Sequence, residues 1–150
     1  MKQEQTEVLI IGAGPSGCVS AAYLQQQGIK VRMVEKTRFP RLVVGESLIP
    51  RVMDHLDEAG FLPALKAMNF EVKWGARFIR GEQVCQFDFS QKYSKGWDWT
   101  WQVPRADFDN VLAKEVVRMG VPLSFETEVT NVEFFPDHQL TTVKDASGET

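Results

Sequence analysis

Three glycines, Gly12, Gly14 and Gly17, have the spacing Gly-x-Gly-x-x-Gly, which suits the binding of a pyrophosphate. Gly12 permits a tight turn at the end of a strand, and Gly14 has no side chain to keep a pyrophosphate from the backbone. Gly17 allows the following helix to pack closely on the sheet. We therefore expect a dinucleotide to bind at this turn.

The segments on either side of these glycines agree with a β-α-β unit. A β-branched apolar run, Val8–Ile11, precedes the turn, and helical spacing follows it as far as Gly28. A second apolar strand, Val31–Val34, ends at Glu35, where a carboxylate can accept hydrogen bonds from ribose hydroxyls. The alternative is a strand-helix turn that binds no ligand. The residues leave both FAD and NAD open as the dinucleotide.

The turn also contains Ala13, Pro15 and Ser16. The backbone amides of Ser16 and Gly17 open the helix, where unpaired N–H groups and the helix dipole favour an anion. All six residues from 12 to 17 are therefore predicted to bind the cofactor.

Composition and charge exclude several classes of protein. The chain has 150 residues and a formal net charge of -3, so it lacks the basic surface of a general nucleic-acid binder. No apolar run is long enough to span a membrane. Cys18 and Cys85 have no paired spacing, which suits a reducing cytoplasm. His55 and His138 are isolated, so we expect no metal site.

The length of the chain predicts an incomplete nucleotide-binding domain. A doubly wound domain has several more parallel strands than 150 residues of this pattern provide. Residues 145–150 have the composition of a hairpin turn, with no return strand after it. We therefore expect the chain to be the N-terminal part of a longer protein.

Hydrophobic periodicity predicts the remaining elements. Residues 36–49 form a loop because Pro40 and Gly45 interrupt regular structure. From Glu71 to Phe78 the period is two, which predicts one half-buried strand with Lys73 on its polar face. We expect helices at 50–60, 62–68 and 105–119, strands at 84–89 and 121–125, an extended stretch at 97–104 with three tryptophans on one face, and a hairpin of 128–135 with 139–144.

Several short motifs together resemble the flavin-dependent halogenase family. Residues 39–41, Phe-Pro-Arg, and 45–50, Gly-Glu-Ser-Leu-Ile-Pro, are similar to segments of that family, the second being its loop beside the flavin. Residues 99–104, Trp-Thr-Trp-Gln-Val-Pro, are similar to the halogenase Trp-x-Trp-x-Ile-Pro, with valine in place of isoleucine. Lys73 stands where the family has its essential lysine, and residues 105–109 resemble the Arg-x-x-Phe-Asp that follows.

The resemblance extends to the wider class of aromatic-hydroxylase-like and geranylgeranyl-reductase-like FAD oxidoreductases. It implies an α/β, Rossmann-like, three-layer FAD-binding fold with a β-rich substrate-region insertion. Residues 1–70 would then form the FAD-binding β-α-β unit and flavin loop. Residues 71–104 would form the substrate side, and residues 105–150 would return to an incomplete FAD-binding domain.

The same resemblance implies a reaction. In the family, reduced flavin, O2 and halide yield hypohalous acid, and the lysine holds this oxidant for transfer to an electron-rich small molecule. A separate flavin reductase usually supplies the electrons. For this chain we therefore expect FAD as the cofactor, a small-molecule substrate and a flavin reductase as partner.

Lys73 is the predicted catalytic residue. A suitably placed amine can hold an electrophilic halogen near a ring. The alternative is a solvated lysine, because the polar face of a strand routinely carries charge. Trp99 and Trp101 are by default a packed aromatic face, which could also shape the space beside the substrate, and we assign them no catalytic role.

Residues outside the turn are also predicted to contact FAD. Arg105 stands in the first turn of a helix, where a cation opposes the dipole unless an anion lies nearby. The other predicted contacts beyond Glu35 are Lys36, Arg41, Ser47, Leu48 and Val129. By resemblance, Ser47 and Leu48 approach the flavin through their backbone, and Val129 contacts adenine through its main chain. The alternatives are surface arginines, a solvated loop lysine, a helix-capping serine and a core valine.

Three functions are open at this point. The first is an FAD-dependent halogenase, and the second is a related FAD oxidoreductase that hydroxylates a ring or reduces an isoprenoid double bond. The third is a nucleotide-binding module without turnover. The Trp-x-Trp pair favours the first over the second, and the segments at 39–41 and 45–50 favour FAD over NAD.

Overall fold

The computed structural model of the protein describes residues 3–145 and 148–149, the last two by their backbone alone. The chain divides into two compact units, Met1–Arg41 with Asp109–Thr150, and Leu42–Phe108. These bounds differ from those of the three parts expected from the sequence, 1–70, 71–104 and 105–150, and the assignment of those parts to FAD binding and to the substrate side stays a prediction.

Ten strands and four helices are present in the described residues. In chain order they are β1 (Val8–Ile11), α1 (Pro15–Gln26), β2 (Val31–Val34), α2 (Pro50–Glu58), α3 (Leu62–Lys66), β3 (Glu71–Lys73), β4 (Gly75–Arg80), β5 (Gln83–Asp88), β6 (Thr100–Gln102), α4 (Arg105–Arg118), β7 (Leu123–Ser124), β8 (Glu128–Phe134), β9 (Gln139–Asp145) and β10 (Gly148–Glu149). The helices and the hairpin predicted from periodicity are all present, with ends that differ by a few residues.

The first unit contains a parallel sheet in the order β1-β2-β7. Val8 lies opposite Val31 and Ile11 opposite Val34, so the predicted β-α-β unit is confirmed. The buried residues of α1 are Cys18, Ala21 and Ala22, and their small side chains let the helix approach the sheet closely. The strand predicted at 121–125 is shorter, because only Leu123 and Ser124 pair with β2.

The strand predicted from Glu71 to Phe78 is wrong in two respects. It is two strands, since β3 pairs with β6 whereas β4 pairs with β5, and the ladder changes partner at Trp74. The predicted burial also fails at three positions, because Trp74 and Phe78 are 60% and 61% exposed whereas Lys73 is half-buried. An alternating pattern predicts extended backbone but does not say which neighbour each half will find.

The end of the described chain also differs from expectation. β8 and β9 form the predicted hairpin, with a bulge between Val129 and Asn131. Gly148 and Glu149 pair with β9, so a return strand does begin there, contrary to the sequence prediction. The rest of the predicted turn, residues 146 and 147 with residue 150, lies outside the described residues.

A helix that spans a membrane needs about 20 mostly apolar residues. None of the helices within residues 3–145 is both long and apolar enough to cross a bilayer.

Candidate functional site

Residues 12–17, which we call the phosphate turn, have the geometry that the glycine spacing predicts. Gly12 has φ +101°, a conformation that favours glycine, and its N–H donates to the carbonyl of Val34 at 2.8 Å. A Cβ on Gly17 would lie only 2.1 Å from the carbonyl oxygen of Gly12. The tight turn and the close helix-sheet contact are therefore both present, and both require glycine.

The space beside Gly14 is open. Within 4 Å, a Cβ added there would meet, among the residues that the structure describes, only Nη2 of Arg41, at 3.7 Å. Among the described residues, no side chain caps the N-terminus of α1, and its first turn contains no acidic residue. The amides of Ser16 and Gly17 thus begin a helix whose positive end is not neutralised by its own side chains. An anion of the size of a pyrophosphate fits this chemistry.

Glu35 is fixed against the phosphate turn. Its side chain is nearly buried, and Oε2 accepts a hydrogen bond from the amide of Ala13 at 3.0 Å. Oε1 accepts from the amide and the hydroxyl of Thr37, at 3.0 and 2.7 Å. Burial raises the pKa of Glu35, but the bonds from Thr37 and Ala13, with the Arg41 guanidinium, outweigh it and lower the pKa below its ordinary value. Glu35 is therefore an anionic acceptor at neutral pH.

Arg41 is held beside the same turn. Its Nη2 lies 3.7 Å from Oε2 of Glu35, and its Cζ lies 4.7 Å above the centre of the Phe39 ring. Phe39 in turn packs on Phe125, with ring centroids 5.1 Å apart. The Nε of Arg41 is buried and has no hydrogen-bond partner among the described residues. Arg41 is thus more restrained than an ordinary surface arginine, and its guanidinium faces the open side of Gly14.

Replacing Glu35 with glutamine is expected to destabilise the first unit by about 1–3 kcal/mol at neutral pH. Glutamine has an NH2 group in place of one carboxylate oxygen. This NH2 group would face the backbone amide of Ala13 or Thr37, and that nearly buried amide would then lack an acceptor. Because the folded pKa of Glu35 is lowered, its contribution is complete above the ordinary value of 4.5 and is lost as the pH falls through the folded value.

Urea unfolding of both proteins at pH 7 and in acid measures this effect. The difference between wild type and Glu35→Gln should shrink in acid, whereas Glu82→Gln, at an exposed position, should differ little at either pH. Equal unfolding free energies at pH 7 would contradict the role given to the carboxylate.

Cys18 is bonded to the phosphate turn, and its thiol is expected not to react with alkylating reagents. Its thiol donates to the carbonyl of Ala13 at 3.2 Å. Burial, with the carboxylates of Asp109 and Glu35, raises the pKa of Cys18 to about 12, so the nucleophilic thiolate is absent at neutral pH. Iodoacetamide at about pH 8 should alkylate the exposed Cys85 and spare Cys18 until the protein is unfolded. Native alkylation of both at similar rates, seen by peptide mass spectrometry, would contradict this prediction.

In the second unit, residues 46–48 add to the free edge of β6. The amide of Leu48 donates to the carbonyl of Trp101 at 3.2 Å, and the amide of Val103 donates to the carbonyl of Glu46 at 2.9 Å. Ser47 forms a bridge with Gln102. β6 therefore lies between β3 on one side and residues 46–48 on the other.

Lys73 reaches residues 47 and 48 from β3. Its Nζ donates to Oγ of Ser47 at 2.5 Å and to the carbonyl of Leu48 at 3.0 Å. The same nitrogen lies 5.4 Å from the centre of the Phe89 ring. Lys73 is therefore half-buried, and its amine is bonded to two protein oxygens, unlike a lysine that extends into solvent. Its catalytic role stays a prediction.

The tryptophans form the packed aromatic face that the alternation predicts. The centroids of Trp97 and Trp99 are 5.2 Å apart, and those of Trp99 and Trp101 are 5.3 Å apart, in edge contacts. Trp101 is buried and meets the ring of Phe70. Because Lys73 lies opposite Thr100, and side chains alternate along β6, Trp101 and Lys73 are on opposite faces of the strand pair.

Arg105 has protein partners of its own. Its Nη1 donates to the carbonyls of Val44 and Gly45, both at 3.3 Å. These carbonyls give the cation at the start of α4 favourable contacts without a bound anion, which sequence reasoning did not anticipate. Lys36 is exposed, and Val129 is half-buried on β8 opposite Val143. The first unit thus brings together the phosphate turn, Glu35 and Arg41, and the second brings together Lys73, Ser47 and Leu48.

Four residues that contact the predicted site residues were not predicted from the sequence to do so. They are Cys18, Thr37, Phe39 and Phe89. Thr37 could have been found, since a hydroxyl two residues from a carboxylate is a common local hydrogen-bond arrangement. Phe89 left no signal, because its contact with Lys73 depends on how separate strands assemble.

The parallel β-α-β unit and its open glycine turn define a dinucleotide-binding fold. Residues 5–150 match the family model described as FAD binding domain. The chain therefore belongs to the FAD-binding domain family, and FAD is its cofactor. The open side of Gly14, the uncapped α1 and the anionic Glu35 fit that group.

Individual proteins add to this result. The chain is 33% identical over 129 residues to tryptophan 2-halogenase of Chondromyces crocatus. These residues are 86% of this chain and 24% of that protein. A flavoprotein/dehydrogenase structure from Cytophaga hutchinsonii has a TM-score of 0.93 and 51% identity, covering 98% of this chain and 36% of that one. The flavin-dependent halogenase CmlS has a TM-score of 0.90 and 33% identity, covering 99% and 28%. The chain thus spans about a quarter of the length of the first of these relatives.

Proposed function

We propose that this chain provides the FAD-binding part of a flavin-dependent halogenase that uses reduced flavin, O2 and halide to modify an electron-rich small molecule. The observation that carries the proposal is the amine of Lys73. The amine is bonded to Ser47 and Leu48, and such fixed partners give a reacting group a defined position. The similarity to named halogenases supports the same reading.

Each predicted residue then has a role. Residues 12–17 bind the pyrophosphate, Arg41 neutralises it, and Glu35 accepts hydrogen bonds from the ribose. Lys36 and Val129 contact the adenosine, whereas Ser47, Leu48 and Arg105 contact the flavin. When bound, FAD supplies the redox chemistry. Lys73 is the catalytic residue, whose amine holds the oxidant for transfer.

A second candidate is an FAD oxidoreductase that does not halogenate. The observation that favours it is the identity of 51% with a flavoprotein/dehydrogenase structure, against 33% with CmlS. Hydroxylation of a ring or reduction of a double bond would use the same FAD site without a lysine-held halogen.

The partners follow from the chemistry. A halogenase needs reduced flavin, so we infer a separate flavin reductase as the supplier of electrons. We also infer a reducing compartment such as the cytoplasm, since Cys18 and Cys85 are both free thiols. A small-molecule substrate is expected in either function.

Product analysis tests the proposal. The purified full-length protein is supplied with reduced flavin, O2, chloride or bromide, and a panel of phenols, pyrroles and indoles. A product with the mass and isotope pattern of chlorine or bromine supports a halogenase. Hydroxylated or reduced products that form equally well without halide would support the second candidate and contradict the first.

A further inference from the structure

Three groups of the protein surround the amine of Lys73. An ammonium has three N–H donors, and two of them point at Oγ of Ser47 and at the carbonyl of Leu48. The same nitrogen lies over the ring of Phe89, 5.4 Å from its centre. The two hydrogen bonds leave one N–H donor of the ammonium without an oxygen acceptor among the described residues, so this donor can point at a bound molecule.

Both oxygen acceptors are fixed to the strand beside Lys73. Leu48 is bonded through its amide to Trp101, and Ser47 forms a bridge with Gln102. Lys73 itself lies on β3, which pairs with β6 from the other side. The donor and its acceptors are therefore connected through one short sheet, and not through a free loop. A long, flexible lysine side chain gains a defined direction only from such fixed partners.

Phe89 is the third neighbour of the Lys73 amine, and it is itself fixed by the protein. It is only 9% exposed, and its amide donates to the carbonyl of Trp74 at 2.9 Å. Its ring also contacts Phe87, with centroids 6.0 Å apart. A cation near an aromatic face is attracted to it, so the ring gives the ammonium a third fixed neighbour.

We propose that Ser47, Leu48 and Phe89 form a cradle that sets the direction of the Lys73 amine, with the Ser47 hydroxyl and the Phe89 ring as its positioning residues. Neither side chain reacts. The hydroxyl of Ser47 thus has a function separate from any backbone contact of Ser47 with flavin. The inference rests on the proposed function where it concerns the oxidant, but the cradle itself can be tested without turnover.

The first test measures the reactivity of the amine. The full-length protein is treated with acetic anhydride, and the acetylation of each lysine is followed by peptide mass spectrometry. Lys73 should react more slowly than the exposed Lys95 in the same protein. Ser47→Ala should accelerate Lys73 by about fivefold, the factor expected for the loss of one hydrogen bond. Ser47→Thr, which keeps a hydroxyl, should restore slow reaction.

Phe89→Leu should also accelerate Lys73, by about twofold to fivefold, through the loss of the ring contact. Ser94→Ala and Phe134→Leu, at exposed positions, are the matched controls and should leave Lys73 unchanged. Circular dichroism checks that each variant is folded. If Lys73 reacts as fast as Lys95 in the wild type, or equally slowly in folded Ser47→Ala and Phe89→Leu, the cradle is overturned.

The second test follows the oxidant. A 1,3-diketone scavenger traps free hypohalous acid, so the ratio of halogenated product to trapped oxidant measures how well the lysine delivers it. Ser47→Ala and Phe89→Leu should lower this ratio by about fivefold, and Ser47→Thr should recover it. If Lys73→Ala abolishes product but neither cradle variant changes the ratio, the cradle is wrong and the catalytic lysine stands. If the wild type never halogenates, the proposed function fails, and the acetylation rates alone decide on the cradle.

Discussion

Lys73→Ala is expected to reduce halogenated product by at least about 100-fold, the scale typical of removing a group that acts directly in a reaction. The amine that holds the oxidant is gone, so free hypohalous acid should accumulate and be caught by a scavenger. FAD should remain bound, because the phosphate turn at residues 12–17 is not touched by the substitution. Stability should change by no more than about 1 kcal/mol, since Ser47 and Leu48 can bond to water instead.

The assay compares wild type, Lys73→Ala and Lys95→Ala, the last being an exposed lysine of the same unit. Halogenated product, trapped oxidant and bound FAD are measured on the same samples. A wild-type yield of product from Lys73→Ala would remove the catalytic role. A loss of product together with a loss of FAD would show that Lys73 acts in cofactor binding.

Gly14→Val is expected to weaken FAD binding by at least about 100-fold, which corresponds to about 2.8 kcal/mol. Its side chain would occupy the open side of the phosphate turn, where the nearest described atom to a Cβ is Nη2 of Arg41, at 3.7 Å. The backbone at this position has φ -71° and ψ -179°, which valine can adopt, so the fold itself should survive. Flavin content after purification and the dissociation constant for added FAD measure the effect.

Gly17→Ala is the matched contrast. A Cβ at this position would lie 2.1 Å from the carbonyl oxygen of Gly12, so the turn cannot form without displacement of the helix. This variant should therefore lose thermal stability as well as FAD, whereas Gly14→Val should lose FAD alone. Stoichiometric FAD in purified Gly14→Val would contradict the assignment of the open side of the turn to the pyrophosphate.

The predictions from sequence that were confirmed concern short-range structure. Gly12 and Gly17 are five residues apart, and the turn between them is dictated by the conformational freedom and small size of glycine. The helix α4 was predictable because Phe108, Leu112 and Val116 repeat at the helical period and are buried together. In both cases the residues that determine the structure are close to one another in the sequence.

The candidate site was only partly predictable. Glu35 was expected to meet a ribose, but its bond to the amide of Ala13 spans 22 positions and was not foreseen. An anion was expected near Arg105, and that stays a prediction; its bonds to the carbonyls of Val44 and Gly45, about 60 residues earlier, were not foreseen. A sequence motif identifies the residue but not the partner that the fold brings to it.

By itself, the sequence determined the β-α-β unit and the glycine turn, because local periodicity and glycine conformation act over a few residues. Lys73 was singled out by the resemblance of short motifs to the halogenase family, and not by periodicity. Only the tertiary structure decided that the predicted strand from Glu71 divides at Trp74, and that Lys73 is bonded to Ser47, 26 residues away. The reason is physical. An alternating pattern makes a segment extended, but the choice among partner strands depends on packing between residues far apart in the chain.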